Sequence, residues 1–338
     1  MQKAVFIGDE RNIRNVYSTD TVAALMKMVS FPYGERVFAE NELESQNFCE
    51  IDFLFSTWGM CELSEEKILH LFPQLKCVFY AAGSVQRFAR PFLKRGVKVF
   101  SAWAANAVPV AEFTLAHIIL ASKGYFCRLV LPASGEKGYL KRKEKTLENF
   151  PGNYEITVGI IGAGMIGRMV IQKIHLVLEH IRILVFDPFL PPEKANQLGV
   201  ELCDLETLFE QSDVISNHLA NNPQTVGIIN GELFDKMKPF AVFINTGRGA
   251  QVVEEDLILA LKQVPTRTAA LDVTFPEPPS QESELYELPN VFLTPHMAGS
   301  SGHEVHRMGE YMLDECIRYM NGQDVLYEVT EKMLETMA

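Results

Sequence analysis

The sequence predicts an α/β protein built on parallel sheets, and three observations predict it. Short apolar runs fit for buried strands alternate with segments of helical periodicity along the chain. One stretch, Thr157–Asp187, reads as strand, glycine turn, helix and strand in immediate succession. The 338 residues suffice for about two domains and a substantial core. Strands alternating with helices require a parallel sheet covered on both faces.

Each element follows in order. Ala4–Ile7 is an apolar strand, and Thr21–Val29 a helix. Ile51–Phe55 is a strand ending at Ser56-Thr57-Trp58-Gly59, and Ser64 caps a helix reaching Leu71. Cys77–Tyr80 runs into Ala81-Ala82-Gly83-Ser84, and Val97–Phe100 closes this first block of about one hundred residues, a typical small-domain size. Asn106–Ala121 is a long helix with Pro109 expected in its first turn, where a missing N–H costs little. The basic run Lys137–Lys145 reads as a solvated surface segment.

Alternation resumes at Thr157. Strands are expected at Val200–Leu202, Val214–Asn217, Ala241–Asn245, Thr268–Leu271 and Val291–Leu293. Helices are expected at Leu205–Glu210, capped by Asp204, and at Gly231–Met237 and Glu254–Gln263. The last helix, Glu304–Asn321, turns Val305, Met308, Met312, Ile317 and Met320 to one face, where methionine fills a core.

Composition narrows the function. A net charge of −12 disfavours nucleic acid and anionic membranes as partners. The six cysteines are scattered with no C-x-x-C pair, which suits buried or free thiols in a reducing compartment rather than disulfides or zinc. The start, MQKAVFIGDE, shows no long apolar signal segment, so the cytoplasm is expected. The apolar stretch Ala107–Ala121 contains Glu112 and His117 and reads as a buried helix, not a membrane span.

Within Thr157–Asp187, Gly162, Gly164 and Gly167 form G-x-G-x-x-G at the strand-to-helix junction. Gly162 allows the tight turn, Gly164 lets the backbone approach a pyrophosphate, and Gly167 lets helix and strand pack closely. The helix N-terminus adds free N–H groups and partial positive charge. Ile166, Met169, Val170, Ile174 and Val177 are expected to bury one helix face. Asp187, twenty positions after Gly167, can accept from a ribose 2′-hydroxyl and repels a 2′-phosphate, which selects NAD over NADP; its plainer alternative is a cap on the turn into Pro188.

Asp187, His218, Arg248, Asp272 and His296 each follow a different expected strand, so they should converge on one crevice at the carboxyl ends. His296 can exchange a proton near neutrality. Glu277 sits among prolines that fix its backbone, and a carboxylate against an imidazole favours the protonated ring. Arg248, between two glycines, can fork onto a carboxylate. Gly83-Ser84 offers backbone N–H groups suited to a small carboxylate.

From Ala81 to Gly299 these motifs resemble the D-isomer-specific 2-hydroxyacid dehydrogenases. The resemblance rests on Asn106-Ala-Val-Pro-Val-Ala-Glu-Phe, Gly162–Gly167 with Asp187, His218-Leu219, Asn245-Thr-Gly-Arg-Gly249, Leu271-Asp-Val, Pro276-Glu-Pro278 and Thr294-Pro-His-Met-Ala-Gly299. It implies two Rossmann-like parallel-sheet domains separated by a cleft. The substrate-binding domain would be discontinuous, residues 1–104 and 299–338, and the NAD-binding domain residues 105–298. It further implies that His296 is the general acid, Glu277 its partner, and Arg248 the substrate's carboxylate binder. Cofactor contacts would come from Gly162, Gly164, Met165, Ile166, Gly167 and Asp187. Further contacts would come from His218, Leu219, Thr246, Gly247, Arg248, Asp272 and His296, with Asp272 orienting the nicotinamide carboxamide. Ala82, Gly83 and Ser84 would join Arg248 and His296 on a small 2-keto or 2-hydroxy acid, and the family's homodimer forms through the NAD-binding domain. The loop Ala82–Gln86 lacks the Asp many members carry after the glycine, which leaves the substrate open, a larger ketone included. The acidic loop, Asp272-Val-Thr-Phe-Pro-Glu-Pro-Pro, also departs slightly from the common form, though Glu277 speaks against the formate dehydrogenase branch. The same resemblance also covers NAD(H)-sensing corepressor-like binding proteins, a second reading.

Overall fold

The computed structural model describes residues 1–130, 140 and 150–335. Apart from Leu140, the basic run Lys137–Lys145 lies outside the described residues. The chain divides into two compact units, Met1–Ala107 with Ser300–Ala338, and Val108–Gly299.

The first unit contains β1 (Ala4–Ile7), α1 (Glu10–Val16), α2 (Thr19–Met28), β2 (Val37–Phe38), β3 (Phe53–Ser56), α3 (Glu65–Leu71), β4 (Cys77–Tyr80), α4 (Ala89–Lys94) and β5 (Lys98–Ser101). The returning segment adds α12 (Val305–Met320) and β13 (Glu328–Val329). The sheet order is β13-β5-β4-β3-β1-β2, parallel except for β13, which runs antiparallel to β5. Register places Phe6, Phe55, Phe79 and Phe100 side by side on four adjacent strands. Their rings form a ladder, 5.0 Å apart for Phe55–Phe79 and 4.9 Å for Phe79–Phe100. From α12, Val305, Met308, Met312 and Cys316 enter this core. The fully buried Glu315 accepts from Leu326 N at 3.0 Å and Tyr327 N at 3.1 Å, which steers the chain into β13.

The helix α5 (Trp103–Ser122) crosses the division and starts three residues before its expected beginning. Trp103 packs edge-on against Tyr327, ring centroids 5.6 Å apart, and so anchors the earlier start. Pro109 therefore lies inside the helix and not in its first turn. Its missing N–H withholds the ladder bond from the Ala105 carbonyl.

The second unit holds α6 (Tyr125–Val130), β6 (Thr157–Ile161), α7 (Met165–Val177), β7 (Arg182–Phe186), α8 (Pro192–Leu198), β8 (Glu201–Leu202), α9 (Leu205–Gln211), β9 (Val214–Asn217), α10 (Gly231–Lys236), β10 (Val242–Asn245), α11 (Glu254–Gln263), β11 (Thr268–Leu271) and β12 (Val291–Leu293). Its seven strands run parallel in the order β12-β11-β10-β9-β6-β7-β8. Alternate residues feed two cores: Val158, Ile160 and Val185 meet Val170 and Ile174 of α7, whereas Ile161, Leu184 and Phe243 meet α9 to α11. Ser64 accepts from Lys67 N at 3.2 Å and Asp204 from Thr207 N at 2.7 Å, the caps expected of them. Val177 departs from expectation: α7 ends there and the side chain is 56% exposed. Sequence reading missed α1, β2, α4 and α6, and also α8, whose polar PEKANQL shows no apolar period, and β13, which is two residues long.

Candidate active site

Strand β6 is flanked by β7 on one side and β9 on the other, so the chain leaves it in opposite directions. Such a switch point opens a groove outside the carboxyl ends of the strands. Asp187, His218, Thr246–Gly249, Asp272 and Thr294–His296 follow β7, β9, β10, β11 and β12 along that one edge.

At the switch point the three glycines meet different surroundings. Gly162 has φ +90°, and a Cβ there would lie 2.9 Å from the His218 carbonyl oxygen. A Cβ on Gly167 would stand 2.0 Å from the Gly162 carbonyl oxygen, so helix α7 can close on β6 only with glycine there. A Cβ on Gly164 would meet nothing within 4 Å. This open cradle lies at the first turn of α7, beside exposed Met165 and half-buried Ile166. Amides of a helix's first turn lack intrahelical partners, so the cradle fits a dinucleotide's pyrophosphate. Ala163 is gripped from both sides: its N–H donates to Asp187 Oδ2 at 2.8 Å, and its carbonyl accepts from Arg168 Nε at 2.7 Å. Asp187 Oδ1 also accepts from Phe189 N at 2.8 Å, so Asp187 does cap its turn. Two carboxylate oxygens offer about four acceptor positions, which leaves capacity for a ribose hydroxyl.

His218 corrects the expected convergence. Its imidazole is buried inside the unit, 2.9 Å from Ser216 Oγ and 3.5 Å from Thr246 Oγ1. Thr246 continues to Thr114 of α5 at 3.1 Å. Burial pushes the His218 pKa down to about 3, so the ring is neutral. What this segment presents toward the glycine turn is backbone, the His218 carbonyl and the Leu219 N–H.

Arg248 is half-buried, and Nη1 donates to the Gly247 carbonyl at 2.8 Å. Burial lowers its pKa and the charge of Glu277 raises it, so the two side chains sense one another. Among the described residues no carboxylate lies within 4.0 Å of its guanidinium. Gly249 admits no side chain, because a Cβ would fall 1.9 Å from the Thr274 carbonyl carbon in the loop that leads to Glu277.

His296 Nδ1 and Glu277 Oε1 are 2.6 Å apart, both side chains half-exposed. His296 adopts φ +52°, a left-handed conformation that non-glycine residues seldom take. Asp272, 3% exposed, holds this turn in place. Its carboxylate accepts from Thr294 Oγ1 at 2.6 Å, Met297 N at 2.8 Å and Ala298 N at 2.9 Å, and its carbonyl accepts from His296 N at 3.0 Å.

Ala82, Gly83 and Ser84 belong to the first unit, after β4. Ser101 Oγ donates to the carbonyls of Ala82 at 2.8 Å and Gly83 at 2.6 Å, which fastens that turn. Sequence reading overlooked the buried amides of Asn217, Asn245 and Gln251; an uncharged polar side chain beside a glycine turn carries little signal by itself.

Comparison with known proteins agrees with this geometry. A family model described as D-isomer specific 2-hydroxyacid dehydrogenase, NAD binding domain, matches residues 135–298. The D-3-phosphoglycerate dehydrogenase of Synechocystis sp. is 34% identical over 239 residues, covering 70% of this chain and 41% of that protein. The D-3-phosphoglycerate dehydrogenase of Archaeoglobus fulgidus is 32% identical over 244 residues, covering 72% of this chain and 44% of that one. The matched segment thus spans less than half of these curated relatives. The apo structure of Rhodotorula graminis D-mandelate dehydrogenase shares the fold, with a TM-score of 0.80 at 20% identity over 98% of both chains. The glycine cradle and Asp187 lie within the segment matched by that NAD-binding domain model. Its motifs, its two parallel-sheet units and these matches together place the chain in the D-isomer-specific 2-hydroxyacid dehydrogenase family.

Proposed function

We propose that this chain reduces a small 2-keto acid to the D-2-hydroxy acid with NADH, or runs the reverse reaction. The observation that carries the reading is Arg248: a half-buried guanidinium with no carboxylate partner among the described residues, electrostatically coupled to the carboxylate that holds His296. A buried cation without a counter-ion is costly, and a bound substrate carboxylate removes that cost.

NADH when bound supplies the hydride to the substrate C2. Arg248 grips the carboxylate with two parallel N–H bonds and holds C2 in place. His296 hands its proton to the carbonyl oxygen, and Glu277 holds the ring through Nδ1. Asp272 keeps the His296 turn rigid and orients the nicotinamide carboxamide. Asp187 favours NADH over NADPH. The chain works in the cytoplasm as a homodimer formed through the NAD-binding domain.

A panel of 2-keto acids, run with NADH and NADPH side by side, tests the reading. We expect NADH oxidation with at least one small 2-keto acid. His296→Ala loses most turnover and keeps NADH affinity, and Arg248→Lys raises KM because one ammonium cannot reproduce the fork. No turnover across the panel, or a His296→Ala enzyme as fast as its parent, overturns it. A panel without turnover alongside tight NADH binding is the result the corepressor-like reading requires.

A further inference from the structure

We propose that Gln251 is a positioning residue which, with Asn217 and Asn245, locks the backbone of Arg248 to the Leu219–Ala220 turn. The proposal rests on the reading of Arg248 as the carboxylate binder and deepens it.

All three amides are buried to within 1%. Asn217 Nδ2 donates to Gln251 Oε1 at 2.6 Å and to Asn245 Oδ1 at 3.0 Å. Gln251 Oε1 also accepts from Arg248 N at 3.3 Å, and Asn245 Nδ2 donates to the Arg248 carbonyl at 3.2 Å. Both backbone polar groups of Arg248, at the N-cap of the short turn Gly249–Gln251, are therefore held by side-chain amides. Gln251 Nε2 donates to the carbonyls of Leu219 at 2.8 Å and Ala220 at 2.9 Å, and Asn217 Oδ1 accepts from Leu219 N at 3.2 Å.

The valences explain the residue type. Gln251 uses both of its donors and both acceptor positions, so its hydrogen-bonding capacity is full. A carboxylate in its place turns an acceptor oxygen toward two carbonyl oxygens. An apolar side chain removes the partner of the Leu219 and Ala220 carbonyls and of the Arg248 N–H, and one of the two acceptors of Asn217 Nδ2. Neutrality matters as well. An anion here would compete with substrate for the guanidinium, whereas an amide fixes the backbone and leaves the charge of Arg248 unspent.

The test compares Gln251→Met, Gln251→Glu and Arg248→Met with the parent. Readouts are KM, kcat, NADH affinity, thermal melting, and calorimetric titration with oxalate as a small carboxylate probe. We expect Q251M to raise the keto-acid KM and weaken oxalate roughly tenfold, with a smaller loss of NADH affinity. The KM of Q251E, relative to the parent, should recover as pH falls from about 8 to about 6, because the protonated acid supplies one donor again. A Q251M enzyme whose KM and oxalate affinity match the parent overturns the lock. So does a parallel loss of NADH affinity, substrate affinity and melting temperature with no pH-dependent recovery in Q251E. Oxalate binding lost in R248M but kept in Q251M removes the lock and leaves the reading of Arg248 standing. Oxalate binding kept in both removes that reading and the lock with it.

Discussion

Two histidines follow strand ends in the second unit, and burial separates their chemistry. His296 stands half-exposed against Glu277, within reach of a ligand from solvent. His218 is enclosed, and its pKa falls from the usual 6.5 to about 3. Between those values the unfolded chain binds a proton that the folded chain refuses. The stabilisation is complete above about pH 6.5 and is lost as pH falls toward 3. Its slope approaches about 1.4 kcal/mol per pH unit, on the order of 5 kcal/mol across the window as an upper bound. Urea unfolding at falling pH should therefore show a shallower acid slope in His218→Asn than in the parent. Equal slopes would mean that the ring does not resist protonation.

At the scale of the element, the glycine turn separates what the fold needs from what the ligand needs. Gly167 faces the Gly162 carbonyl, whereas Gly164 faces open space. Gly167→Ala should cost roughly 1–3 kcal/mol of stability, because helix α7 has to back away from β6. Gly164→Ala should melt with the parent yet bind NADH about tenfold more weakly, since its methyl occupies the approach to the pyrophosphate. Isothermal titration and thermal melts of the two variants check this pair. A Gly164→Ala protein that keeps its NADH affinity would move the phosphates elsewhere.

For the whole molecule, helix α5 is where the homodimer proposal can be tested. It is long and apolar enough by composition to cross a membrane, yet it sends Ala111, Ile118 and Ala121 into the core of the second unit, and half of its most apolar window is buried. Leu120 stays 37% exposed, and Tyr125 just beyond the helix is 45% exposed. Under the homodimer proposal, sedimentation equilibrium should return twice the monomer mass. Leu120→Glu should weaken association at least about tenfold, because it buries a charge, without changing NADH affinity. A parent chain that sediments as a monomer would sink the proposal.

Most strands and the caps at Ser64 and Asp204 were legible because each is written within a few residues: an apolar run, a hydroxyl or carboxylate before a helix, a glycine where φ turns positive. Spacing also made the glycine cradle and Asp187 readable as one unit, since turn, helix and strand lie in a single short stretch. The early start of α5 was not legible, because the ring that anchors Trp103, Tyr327, comes from the far end of the chain. Nor was the difference between His218 and His296: the same residue type follows a strand in both cases, and only packing decides which ring meets water. The amide lock lay furthest from view, since Asn217, Asn245 and Gln251 acquire meaning only when the ends of β9 and β10 and the turn after β10 bring them together. By itself the sequence determined most of the strands, the longer helices and the glycine turn, which depend on local propensity and spacing. Tertiary structure alone decided burial, protonation and hydrogen-bond partners, because each of these is set by neighbours remote along the chain.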